Sequence, residues 1–250
     1  MSDMRTGFRL QFLFLLFIIS ACNTGYRSTQ VEYKDYHVAA SSSTDSTLLL
    51  MLQPYTDSVN KSMNDVIGIS DKSLEKALPE CTLGNIMADA LLIRSREKFN
   101  TNVDAAFMNY GGIRLSQLPA GPVTKRNIYE LMPFDNIVIV QQVNGEILQQ
   151  FLDLIAKRGG WPVSGMKFRI KNQKAVDILI HDKPIDKSAT YSIVNSDYVV
   201  NGGDDCTMLK NLPQQNIGYL MRDAFLEYFS SFKANGKNIS ANIENRVMND

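Results

Sequence analysis

The chain has 250 residues, 44% hydrophobic and 21% charged, which is enough apolar material for a globular core and excludes a disordered, highly charged chain. Lys and Arg number 26 against 26 Asp and Glu, so the formal net charge is zero. With no Lys/Arg cluster in view, the electrostatic footprint of a protein that binds nucleic-acid polymers is missing.

Arg5 and Arg9 precede the apolar run Leu10 to Ile19, and Ser20-Ala21-Cys22 follows. A positive n-region, an apolar h-region and a small-residue cleavage site make a secretory signal, and the run is too short for a comfortable membrane span. Ile19-Ser20-Ala21-Cys22 resembles a bacterial lipobox. That resemblance implies cleavage before Cys22 and lipid on its thiol. An ordinary secretory signal and a buried strand are the alternatives. The expected organisation is a signal peptide at 1–21, a tether at 22–46 and a folded domain at 47–250. The mature protein is expected outside the cytoplasm, lipid-anchored to a bacterial membrane. The tether is rich in Ser, Thr and other polar residues, with a short strand expected at 31–38.

Leu48, Leu52, Tyr55, Val59, Met63 and Val66 recur every three or four residues, the period of an amphipathic helix. Pro54 offers a second start, because proline suits a first helical turn. Val66–Ser70 is a short strand candidate. Thr82 can cap a helix over Leu83–Asn100. Ala105–Asn109 reads as a buried strand, and Val123-Thr124 with Asn127 opens a short helix toward Met132. Ile137–Val143 is a strand, and Gly145 turns into a helix at Glu146–Lys157. Lys167–Lys171 and Ala175–Ile180 form a hairpin pair, Tyr191–Asn195 is a strand, and Tyr219–Ser231 is a helix. Strands and helices mix without strict alternation, which predicts an α+β (mixed α/β) fold.

Chemistry concentrates in three short segments. In Asn201-Gly202-Gly203-Asp204-Asp205, the Gly pair permits backbone conformations that a Cβ would block. Asp204 offers acceptor oxygens suited to two vicinal hydroxyls, and Tyr198 supplies a ring on which a base can stack. In isolation the segment also reads as a Gly-Gly-Asp turn. Asn109-Tyr110-Gly111-Gly112-Ile113-Arg114 follows the apolar run Ala105 to Met108. An Arg fork there can hold a phosphate through paired hydrogen bonds, or simply be solvated. Pro133-Phe134-Asp135-Asn136 precedes the strand, and Phe134 can be a cleft ring or a core ring.

The order and spacing of these segments resemble the C-terminal substrate-binding domain of the 5'-nucleotidase and UDP-sugar hydrolase family, from about Tyr55 to Val247. Glu80-Cys81-Thr82-Leu83-Gly84-Asn85, Gly145, Ser164-Gly165 and Tyr191 extend the match. The resemblance implies a layered fold, with sheets sandwiched between helices. It also implies a nucleotide or nucleoside site of Asn109, Gly111, Gly112, Arg114, Phe134, Tyr198, Gly202, Gly203 and Asp204. In that site Phe134 and Tyr198 clamp the base, Tyr198 standing where Phe is usual. Asp204 takes the ribose hydroxyls, Asn109 lies near the base and Arg114 on the ribose-phosphate side. One departure is Pro79, where relatives commonly carry Arg. Lys76 is the nearest substitute, although Lys does not reproduce a bidentate Arg.

In full-length relatives hydrolysis belongs to a separate metallophosphatase domain with several His and Asp metal ligands. This sequence has two histidines, His37 and His181, and no Cys-x-x-Cys or zinc spacing. No metal site, cofactor or catalytic residue is therefore expected in it, and divalent metals are expected only in a partner metallophosphatase. Three functions compete: the nucleotide-binding half of a split phosphohydrolase, a non-catalytic nucleotide- or nucleoside-binding lipoprotein, and a structural surface component. Cys81 and Cys206 flank site motifs and can pair or stand apart. Trp161, the one Trp, belongs to the core or to the cleft wall.

Overall fold

The computed structural model describes residues 33–34 and 45–250. Cys22, the 1–21 segment, His37 and all but two residues of the strand expected at 31–38 lie outside the described residues. Leu50 to Asp250 forms one compact unit.

Helix α1 spans Ser46–Met63, with Pro54 inside it. The predicted periodicity makes a helix here, but none of its residues is buried. Asn60 and Asn64 accept hydrogen bonds from Arg126, so the helix is tied down at its C-terminal end. An apolar stripe marks a buried face only where a surface packs onto it. Strands β1 (Val66–Ser70) and β2 (Leu74–Glu75) follow. Helix α2 (Thr82–Phe99) starts one residue earlier than expected, because its cap is Cys81 and not Thr82. The Cys81 Sγ accepts from the Gly84 N–H at 3.3 Å. Thr82 Oγ1 instead accepts from the Glu75 N–H, tying the helix to β2. Asn100 closes α2 in the left-handed conformation.

Strand β3 is Ala105–Phe107, followed by a single 3₁₀ turn at Tyr110–Gly112, β4 (Gln117–Leu118) and β5 (Gly121–Thr124). Thr124 and Asn127 cap the short helix α3 (Lys125–Leu131) reciprocally, as the sequence pattern predicts. Strand β6 (Val138–Asn144) leads into α4 (Gly145–Lys157). Then come β7 (Val163–Ser164), the hairpin β8 (Met166–Lys171) and β9 (Lys174–Ile180), β10 (Lys183–Pro184) and β11 (Thr190–Ser196). The chain ends with the one-turn helix α5 (Asp197–Val200), β12 (Gln214–Gln215), α6 (Met221–Ala234) and β13 (Val247–Asn249).

Five strands form the central sheet in the order β12-β6-β11-β3-β7. Successive side chains of a strand point to opposite faces, and both faces here are covered. Ala106, Val140 and Val194 pack into one core with Leu91 of α2 and Phe225 and Phe229 of α6. Ala105, Phe107, Val143 and Ile193 pack into a second core with Phe151 and Ile155 of α4. A four-stranded sheet, β10-β9-β8-β13, closes the second core through Phe168 and Ile178. The fold is thus mixed α/β, with a sheet layered between helices.

Trp161 settles into the second core, 2% exposed and edge-on to Phe151. Cys81 and Cys206 are both buried free thiols. Burial pushes the Cys206 thiol up to about 12, with the Asp204 carboxylate adding to the shift. The C-terminal segment is fastened by a network that spans the chain. Glu80 accepts from Asn85 Nδ2 and from the Glu244 and Arg246 N–H groups. Arg246 pairs with both oxygens of Asp89 at 2.7 and 2.9 Å.

Candidate functional site

The parallel strands β3 and β11 end side by side, with Val194 paired to Ala106. The segments that leave them therefore meet. From β3 the chain runs through Asn109 into the 3₁₀ turn and Arg114. From β11 it enters α5, capped by Ser196 Oγ, which accepts from the Val199 N–H. Asp197 Oδ1 accepts from the Ile137 N–H and anchors α5 to the start of β6. The loop before β6 brings in Phe134.

Between these three segments lies a cavity of about 270 Å³ lined by Asn109, Gly111, Gly112, Arg114, Phe134, Asn136, Tyr198 and Asp204. Seven residues expected in the site from sequence thus share one cleft. Gly202 and Gly203 are not among the lining residues and shape the loop behind it. Gly202 has φ +94, and a Cβ there would meet Lys210 Cδ at 2.7 Å. A Cβ on Gly203 would lie 2.6 Å from the Tyr198 ring. Asp204 itself is left-handed, at φ 51 and ψ 38.

Phe134 is 40% exposed and Tyr198 48% exposed. Phe134 is therefore a cleft ring and not a core ring. Asn109 is 6% exposed, and its Nδ2 donates to Asp204 Oδ2 at 2.9 Å. One carboxylate oxygen of Asp204 is thereby oriented across the base of the cleft. Gly112 has no room for a side chain, because a Cβ would come within 2.5 Å of Asn109 Oδ1. Nothing lies within 4 Å of a Cβ placed on Gly111, so the protein itself leaves the space over that residue open.

Arg114 is exposed on the rim. Its guanidinium donates to the Gly111 carbonyl at 3.3 Å and its Cζ lies 5.6 Å from the Phe134 ring centroid. Lys76 does not line the cavity. Its ammonium donates to the Ile113 carbonyl at 2.8 Å and sits 4.0 Å from the Tyr110 ring centroid. Burial and then the nearby Arg114 charge hold its pKa below the ordinary lysine range. The rim thus concentrates positive charge.

Two contributors carry little local signal. Asn136 lines the cleft although its motif points to Phe134. Arg222 of α6 donates to the Phe134 carbonyl at 3.2 Å and to Asp135 Oδ1 at 2.6 Å, and its Cζ stacks 4.4 Å from the Tyr129 ring centroid. It holds the Phe134 loop from 87 residues away, a separation at which no spacing rule operates. His181 pairs with Asp104 at 2.9 Å, away from the cleft lining. Among the described residues no three His, Cys, Asp or Glu are grouped to hold a metal ion. Among the same residues, no helix is long and apolar enough to cross a membrane.

The family described as 5'-nucleotidase, C-terminal domain, matches residues 59–211. Protein 5NUC of Lutzomyia longipalpis is 30% identical over 203 residues, covering 67% of this chain and 36% of the relative. UshA of Salmonella pullorum is 26% identical over 192 residues, 72% of this chain and 34% of the relative. Two solved structures share the fold. A 5'-nucleotidase precursor from Thermus thermophilus superposes with a TM-score of 0.70 at 25% identity, over 79% of this chain and 42% of that one. The NAD nucleotidase of Haemophilus influenzae superposes at 0.63 and 15% identity, over 82% and 42% of the two chains. The chain spans about a third of the length of these curated relatives. On the extent of the match, the chain belongs to the 5'-nucleotidase C-terminal domain family.

Proposed function

We propose that this chain is the nucleotide-binding half of a 5'-nucleotidase-type phosphohydrolase, acting in extracytoplasmic nucleotide catabolism with a separately encoded metallophosphatase. The observation that carries the reading is the pair of uncovered rings, Phe134 and Tyr198, in one cleft with Asp204. Rings left in water at a concave site are a stacking surface for a planar ligand, and stacking on one aromatic contributes about 1–3 kcal/mol per base in single-stranded nucleic-acid binding. Asp204 retains free lone pairs for vicinal hydroxyls. Arg114 supplies positive charge at the rim, where the phosphate end of a nucleotide would lie. Chemistry on that phosphate belongs to the partner and its divalent metals. In this reading lipid on Cys22 holds the protein to a membrane outside the cytoplasm.

Calorimetric titration of the chain with adenosine, AMP and ADP, with phosphate release followed in the presence of Mn²⁺, tests the proposal. Binding without release is the expected result, and Asp204→Ala should weaken it at least tenfold, about 1.4 kcal/mol. Adding the metallophosphatase should start release. Binding that no metallophosphatase converts to release would favour a non-catalytic binding lipoprotein, which the same cleft would serve. No binding of any of the three would leave a structural surface component.

A further inference from the structure

The Asp204 carboxylate is held from two sides, and only one of them is Asn109. The Asp204 N–H donates to the Tyr198 hydroxyl oxygen at 3.2 Å, and that hydroxyl lies 3.4 Å from Asp204 Oδ1, to which it donates. A tyrosine hydroxyl has one donor and two acceptor sites. Here the donor and one acceptor close a small ring with the backbone and side chain of the same aspartate. The other oxygen, Oδ2, takes the Asn109 amide. The backbone of Asp204 is left-handed, a conformation that a residue with a Cβ adopts only at a cost. Gly203 adjoins the phenol ring, with no room for a side chain. These contacts join the ring and the carboxylate into one hydrogen-bonded unit.

We propose that Tyr198 is a positioning residue as well as a stacking surface: its hydroxyl latches Asp204 in the left-handed conformation that aims its carboxylate into the cleft. Ring and carboxylate then act together, so recognition of a planar base and of the sugar hydroxyls beside it is coupled through one side chain. A phenylalanine at this place would keep the stacking face and lose the latch. The ligand class this selects is a ribonucleoside unit, with base and vicinal diol presented on one side. The inference rests on the proposed nucleoside-binding role of the cleft and assigns the hydroxyl a task within it.

Tyr198→Phe in the full chain, titrated with adenosine and with 2',3'-dideoxyadenosine, separates the two tasks. The expected result is an affinity loss of about tenfold for adenosine, with dideoxyadenosine changed by less than about twofold. In an Asp204→Ala background the same substitution should change adenosine affinity no further, because the hydroxyl acts through that carboxylate. Equal losses for both ligands, or no loss for either, would overturn the latch. A native protein that binds neither ligand would sink the nucleoside reading itself. Hydrogen exchange at the Asp204 amide then still decides the latch, since Tyr198→Phe should speed that exchange and unchanged protection would refute it.

Discussion

The molecule holds two aromatic groups that differ in what covers them. Phe107, Phe151 and Trp161 meet edge to face inside the second core, with centroids 4.9 and 5.9 Å apart. Phe134 and Tyr198 stand in the cleft, 40% and 48% exposed. The first group has its partners in the chain and contributes stability. The second group is positioned by polar contacts, Arg222 on the Phe134 backbone carbonyl and Asp204 on the Tyr198 hydroxyl. Both rings keep surface open to the cleft. An aromatic ring held by polar contacts and left open to a cleft is arranged for a visitor, whereas one enclosed by other rings is arranged for folding.

Three substitutions sharpen this contrast. Phe151→Ala should cost about 3–5 kcal/mol of stability, read by urea unfolding, while leaving ligand affinity unchanged wherever the protein remains folded. Phe134→Ala should do the reverse. Affinity for adenosine should fall at least tenfold, about 1.4 kcal/mol, while the unfolding midpoint barely moves. A large stability loss in that variant would mean that the ring is part of the core after all. Leu50→Gln in α1 should change both quantities least, by less than about 0.5 kcal/mol in stability. Leu50 is 70% exposed, more than either cleft ring. If its replacement weakened ligand binding, exposure within a convergent cleft would lose its value as the mark of the site.

Much of the fold was legible because its signals are local. Thr124 and Asn127 cap α3 within four residues, and Gly145 sits at the entry to α4, where a Cβ would come within 2.2 Å of the Asp186 carbonyl. The cleft was legible as three motifs, since each stays close in sequence and strand ends bring them together. What the sequence concealed is long-range. Glu80, Asp89 and Arg246 lock the C-terminal segment across more than 150 residues, and Arg222 braces a loop 87 residues away. No periodicity announces such pairs. The cap of α2 is Cys81, one residue before the Thr82 that residue preference favours, and a thiol is a weak acceptor and an uncommon cap. In α1 the helical period was correct while the burial it normally signals is absent. Periodicity describes a face, and only tertiary contacts decide what meets it.

The burial of the one indole of the chain has a practical consequence for spectroscopy. Trp161 is enclosed against Phe151 beneath α4 and does not line the cleft. Its emission should therefore be blue-shifted in the native protein and red-shifted on denaturation, while staying silent to occupancy of the cleft. Fluorescence at that wavelength becomes a clean thermometer of the core, and any optical report of a bound base must come instead from the phenol of Tyr198 or from the ligand itself.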